Sequence, residues 1–109
     1  MKLYADYIKE REGKELLELE QGFATYKIRP PECYIVDIYV KPEYRKTGVA
    51  ATMADFICAI AKDRGCTTLL GSVNTAAHGA TSSMRVLLAY GMVLRAAKES
   101  MIYLSKEIN

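Results

Sequence analysis

The chain has 109 residues, of which 50% are apolar and 26% charged, with a formal net charge of +2. That length gives one domain, spanning 1–109, with a single core and little to spare. No apolar run approaches the roughly 20 residues of a membrane span, and Asp6, Lys9 and Glu10 interrupt the N-terminus where a signal sequence would be apolar. So small a net charge does not by itself specify a nucleic acid.

In chain order, residues 3–11 place Leu3, Tyr7 and Ile8 on one helical face, and Gly13 closes that short helix. Leu16, Leu17 and Leu19 stand among glutamates, and their alternation favours a strand over a helix. Gly22 turns the chain into Phe23–Arg29, a run of aromatic and β-branched residues that Pro30-Pro31 ends. Cys33–Val40 follows as another apolar strand, so the three strands form an antiparallel meander.

The helix after residue 48 has the clearest pattern. Val49, Met53, Phe56, Ile57 and Ile60 recur at helical spacing, and Ala50, Ala54, Cys58 and Ala61 flank them with small side chains that permit close packing on a sheet. Lys62 and Arg64 suit the negative end of the helix dipole, and Gly65 suits a left-handed cap. Thr67–Val73 is then a strand reached by a helical crossover, which makes it parallel to 33–40. Residues 81–90 form a second such helix, with Met84, Leu87 and Leu88 inward, Ser82 or Ser83 as cap and Gly91 after its end. Met92–Ala97 and Ser100–Ser105 close the chain as a hairpin. The fold class is α/β with a mixed sheet, in the order α-β-β-β-α-β-α-β-β.

Between the third strand and the first crossover helix lies Tyr-Val-Lys-Pro-Glu-Tyr-Arg-Lys-Thr-Gly-Val-Ala, residues 39–50. A helix start carries unpaired backbone N–H groups and a partial positive charge, which together attract anions. Gly48 and Ala50 let a bulky phosphate come close, and Lys41, Arg45 and Lys46 add charge. The physical reading is a pyrophosphate cradle.

This stretch resembles motif A of the GNAT family, the Gcn5-related N-acetyltransferases that use acetyl-coenzyme A. Val40, Pro42, Tyr44, Arg45, Gly48, Val49 and Ala50 fall in register with the family pattern Val-x-Pro-x-Tyr-[Arg/Gln]-x-x-Gly-[aliphatic]-[Gly/Ala]. The predicted order of elements also matches the family from its second helix onward, so the chain reads as a short member that lacks the first strand and helix. The resemblance implies that the N–H groups of Arg45, Lys46, Thr47, Gly48, Val49 and Ala50 bind the pyrophosphate. It implies that main-chain groups of Ile38, Tyr39 and Val40 hold the pantetheine arm like an added strand, and that Asn74 reaches the arm's amides. The acceptor would be an amine of a small molecule or a protein, attacked directly in a ternary complex.

The catalytic residues are harder to assign. Tyr34 to Arg45 is similar to the polyamine-acetylating branch, which commonly shows Glu-Asp-Ile/Leu-Tyr-Val, but Val36 stands at the glutamate position. The family's acid tyrosine falls at Leu87 when the pattern is anchored on Gly91-Met92. The remaining candidates for proton handling are Asp37, Tyr39, Tyr90 and His78, the last being the one histidine of the chain. A non-catalytic acyl-CoA-binding or assembly module with a degenerate site is the competing reading. A nucleic-acid binder using the eight tyrosines is disfavoured, because they are scattered through every element.

Cys33, Cys58 and Cys66 have no metal-ligand spacing and read as small buried side chains in a reducing setting, which implies a cytoplasmic protein with no metal. The trimmed N-terminal half and the apolar C-terminal hairpin together predict a homodimer.

Overall fold

Six strands form one sheet, in the spatial order β1-β2-β3-β4-β6-β5, in a computed structural model that describes residues 2–108. The elements are α1 (Lys2–Glu12), β1 (Glu15–Leu19), β2 (Gly22–Arg29), β3 (Glu32–Val40), α2 (Val49–Asp63), β4 (Thr68–Asn74), α3 (Ala80–Ala89), β5 (Val93–Lys98) and β6 (Met101–Glu107). β1, β2 and β3 make the expected antiparallel meander, and β5 and β6 make the expected hairpin. The crossover through α2 makes β4 parallel to β3. β6 then inserts antiparallel between β4 and β5.

α2 and α3 cover the same face of the sheet. Met53, Ala54, Ile57 and Ala61 of α2 are buried against Ala24, Tyr26, Cys33 and Ile35, and Leu69, Val73, Met92 and Leu104 continue the core under α3. The buried stripe of α2 is rotated from the one that periodicity alone suggests. Phe56 stays 49% exposed, while Ala54 and Ala61 go inside. Small side chains on that flank let the helix come down on the strands, and a phenyl ring in their place would hold it off. Leu88 is likewise exposed rather than inward.

α1 lies on the opposite face and buries only Ile8, leaving Leu3 85% and Tyr7 53% exposed. Its end is fixed by Gly13, whose positive φ of 68° allows Lys14 N–H to reach the Ile8 carbonyl at 3.2 Å. Just beyond, at the start of β1, Glu15 Oε1 accepts from Arg64 at 2.7 Å, and its second oxygen lies 3.3 Å from Lys9 Nζ. Burial works to raise the Glu15 carboxyl, but the bonds from Arg64 and Lys9 outweigh it and hold the group below its usual range. The stabilisation is therefore present above the unfolded carboxyl value of about 4.5 and disappears as pH falls through the lowered folded value. Glu15→Gln is expected to cost about 1 kcal/mol in urea unfolding at pH 7 and progressively less as the pH falls below the usual carboxyl range. A cost that persists undiminished in acid would refute the charge pairing.

Candidate functional site

β3 and β4 are paired only at Glu32↔Thr68, Cys33↔Leu69 and Tyr34↔Leu70. Both strands continue past that point, β3 still bonded to β2 and β4 to β6, so the two diverge and leave a fork between them. A bulge contributes to the divergence. Thr25 pairs with Asp37 and Tyr26 with Ile35, leaving Val36 as the extra residue in β3. The fork opens into a cleft of about 480 Å³, walled by Ile35, Val36, Ile38, Tyr39 and Val40 on one side and by Gly71 and Ser72 on the other. The starts of α2 and α3 close the outer end through Arg45, Ala50, His78, Gly79, Ser82 and Ser83, while Val86 and Leu87 form a wall from α3.

The turn into α2 is built as a cradle. Pro42–Tyr44 form a short 3₁₀ turn, and Lys46 (φ 64°) and Gly48 (φ 88°) both adopt the left-handed region. Gly48 is the N-cap of α2, and the first helical bond back to it comes from Thr52 N–H at 3.0 Å. By helix geometry, the N–H groups of Val49, Ala50 and Ala51 point outward along the axis, free of intrahelical acceptors. A Cβ placed at Gly48 meets no atom within 4 Å, so the space in front of the cradle is open. The arrangement suits a phosphate. The Arg45 side chain folds back, with Nε donating to the Val40 carbonyl at 3.0 Å and the guanidinium 5.7 Å from the centre of the Tyr39 ring. That places its charge at the outer end of β3. The Arg45 main-chain N–H, expected to bind the pyrophosphate, instead donates to the Pro42 carbonyl at 3.3 Å and closes the turn. Thr47 Oγ1 donates to the Tyr44 carbonyl, which pins the turn.

The sequence-predicted residues divide clearly. Ile38, Tyr39, Val40, Arg45 and Ala50 all line the cleft, with Lys46, Thr47, Gly48 and Val49 in the cradle beside them. His78 also lines the cleft, from an exposed position just before α3. Asn74 does not line it. Its Oδ1 accepts from Ala76 N–H at 3.0 Å and shapes the turn after β4. Asp37 lies on the other side of the strand, accepting from the Thr25 hydroxyl at 2.8 Å. Asp37→Asn keeps an acceptor for that hydroxyl, and CoA affinity measured by calorimetry is expected to stay within about twofold; a tenfold loss would give Asp37 a direct role.

Tyr90 turns away from the cleft toward α2. Its hydroxyl donates to Asp55 Oδ1 at 2.6 Å and lies 3.5 Å from Cys58 Sγ, and Lys106 Nζ stands 4.4 Å from the ring centre. Burial first, and then the bonds to Asp55 and Cys58, push its hydroxyl well above the phenol range, so it holds its proton tightly. Ser82 and Ser83 do not cap α3. The helix begins at Ala80 with Gly79 as its N-cap, and both serines fall in the first turn, facing the cleft. Leu87, at the position of the family's acid tyrosine, and Val36, at that of the glutamate, line the cleft with side chains that carry no proton. The Cys33 thiol is fully buried, and desolvation pushes it up to about 12, so it is inert.

Sequence reasoning missed Tyr34, Gly71 and Ser72. Alternation along each strand puts Tyr34 and Ser72 on a common face only once the Tyr34↔Leu70 register is known, and nothing local announces that register.

A mixed sheet whose parallel pair forks beside a glycine-capped helix start is a GNAT-like architecture. Residues 4–87 match the acetyltransferase (GNAT) family, and the chain belongs to that family. Among solved structures it superposes on the PaiA N-acetyltransferase of Thermoplasma acidophilum, determined with coenzyme A, at a TM-score of 0.76 and 18% identity, covering 97% of this chain and 69% of that one. The Ard1 protein of Thermoplasma volcanium gives a TM-score of 0.71 at 18% identity over 99% of this chain and 79% of its own. In sequence, the thialysine N-epsilon-acetyltransferase of Bos taurus is 40% identical over 48 residues, which is 44% of this chain and 27% of that protein. The chain thus spans about a quarter of the length of that curated relative. Among the described residues no helix is long and apolar enough to cross a membrane.

Proposed function

We propose that the chain binds acetyl-coenzyme A in the cleft and transfers the acetyl group to a primary amine of a small molecule or protein, by direct attack in a ternary complex. The observation that carries this reading is the free edge of β3. From Ile35 to Val40 it has no strand partner on the β4 side, and it runs straight into the Gly48-capped start of α2. An extended amide-bearing arm can pair with such an edge while its phosphates reach the helix. When bound, acetyl-coenzyme A supplies an activated acetyl thioester.

The chain's own groups then have separate tasks. Main-chain groups of Ile38, Tyr39 and Val40 hold the arm in line, and the N–H groups of Lys46 to Ala50, with the charges of Arg45 and Lys46, hold the pyrophosphate. A strand N–H beside the Val36 bulge is suited to polarising the thioester carbonyl. Val36, Val86 and Leu87 give the cleft an apolar wall. Positioning of this kind contributes a large part of the acceleration in acyl transfer even without a dedicated base.

The test is thiol release: acetyl-CoA is incubated with a panel of amines, thialysine and lysine among them, and free CoA is measured. Turnover with at least one amine is expected. Tight binding with no CoA release from any amine would instead support a non-catalytic acyl-CoA module, a reading favoured by the carbon side chains at positions 36 and 87. We also infer a homodimer, because every residue of the edge strand β5 is exposed, Val93 and Leu94 included. A single monomeric boundary in sedimentation at micromolar concentration would refute it.

A further inference from the structure

Two hollows of the molecule meet at one hydrogen bond. Ser72 lines the cleft, whereas Tyr34 lines a second hollow of about 290 Å³, together with Lys27, Arg29, Glu32 and Leu70. The Tyr34 hydroxyl and Ser72 Oγ are hydrogen-bonded to each other, and both side chains are partly buried. Their position follows from the fork. Tyr34↔Leu70 is the last parallel pair, so the two hydroxyls sit where the strands begin to part, at the closed end of the cleft. The cradle and the start of α3 lie at the other end, after Val40 and Asn74.

That separation orders the cleft from mouth to base. With phosphates held at the cradle, an acyl group on a long arm lies inward, toward Val36 and Ser72. Acyl transfer to an amine leaves a sulfur that needs a proton and a nitrogen that must shed one. Val36, Val86 and Leu87 carry none to give. Tyr90 is bonded to Asp55 on α2. His78, Ser82 and Ser83 belong to the mouth, around the Gly79 cap of α3. At the base, the hydroxyls that remain are Ser72 and its partner Tyr34.

We propose that Ser72 is a catalytic residue and Tyr34 the residue that positions and reprotonates it, a proton relay from the base of the cleft to the hollow behind it; this rests on the acetyltransferase reading above. As the carbon–nitrogen bond forms and the carbon–sulfur bond breaks, the Ser72 hydroxyl gives its proton to the departing sulfur. Tyr34 passes its hydroxyl proton to the Ser72 oxygen. The new amide nitrogen sheds its proton to solvent at the cleft mouth, and Tyr34 takes one back from solvent through the second hollow, so protons balance and no other reactant is needed.

The test uses the full chain with an amine that the wild type acetylates. Tyr34→Phe and Ser72→Ala are each expected to lower kcat about 100-fold, the double variant no further, and Ser72→Thr to recover most of the loss. KM for acetyl-CoA, the calorimetric affinity for CoA and the melting temperature are expected to stay near wild type. A separate readout needs no turnover. The thiolate absorbance of bound CoA should rise at lower pH in the wild type than in Ser72→Ala, because a donor to the sulfur stabilises its anion. The relay is overturned if either single variant keeps its kcat, if affinity and melting fall in step with kcat as for a mere strand pin, or if the thiol titration does not move. Failure of the wild type to release CoA with any amine would overturn the acetyltransferase reading itself, whereas an active wild type with active variants overturns only the relay.

Discussion

Replacing Gly48 with valine is expected to reduce CoA affinity by about 100-fold or more, the largest functional effect of any single substitution in the cradle. Gly48 combines a positive φ of 88° with open space around the Cβ position. The fold therefore opposes valine only through the backbone, at about 1–2 kcal/mol for an L-residue in the left-handed region. The ligand opposes it sterically. A branched side chain projecting from the N-cap would stand where a pyrophosphate must approach the N–H groups of α2. Each charge-assisted bond lost there is worth about 1.5–3 kcal/mol, and two such losses exceed the ~2.7 kcal/mol that corresponds to 100-fold.

Gly13→Val separates strain from occlusion. Gly13 has a comparable φ of 68° and equally open surroundings, but it lies at the end of α1, outside the cleft. Both variants should lose similar stability in thermal melts, and only Gly48→Val should lose CoA binding by calorimetry. Equal CoA affinity in Gly48→Val and the wild type would remove the cradle from the site.

Ile57→Ala is expected to destabilise the chain by about 3–4 kcal/mol and lower the melting temperature by about 15 °C. Ile57 is fully buried where α2 lies across β2 and β3, and its neighbours Met53, Ala54 and Ala61 are held by the same contact. Alanines already bring the helix close to the sheet, so little collapse can refill the space, and the cavity cost is felt in full. Total stability for a domain of this size is on the order of 5–15 kcal/mol, so one side chain removes a substantial share. Phe56→Ala removes a larger side chain from the adjacent position but should cost under about 1 kcal/mol, because half of that ring is already in water. Similar losses in the two variants, read from urea unfolding, would contradict the rotated packing of α2.

These two neighbours mark the reach of sequence reasoning. Helical spacing puts Phe56 and Ile57 on one stripe, and both satisfy it. Which edge of the stripe faces the sheet depends on how closely the helix can approach, and that is set by Ala54 and Ala61 against Cys33 and Leu69. The strands were more legible. Alternation, Gly22 and Pro30-Pro31 delimit β2 and β3 to within a residue or so, and the crossover rule makes β4 parallel to β3. α1 was legible as a helix but not in its exposure, since of that face only Ile8 is buried while Leu3 and Tyr7 stay in water.

The same division runs through the site. Contiguous residues 39–50 encode the cradle, because a strand end, a turn and a helix start are local structures whose N–H groups are freed by the chain's own geometry. The sequence by itself therefore determined the fold family, the order of elements and the position of the proposed anion cradle. The fork, the bulge at Val36, the turning of Tyr90 toward Asp55 and the meeting of Tyr34 with Ser72 were decided by tertiary structure alone. Those last two residues are 38 apart in the chain and share a hydrogen bond only because three ladder pairs set the register and then end. A contact of that kind depends on where one strand stops pairing with another, and no local pattern of residue types carries that information.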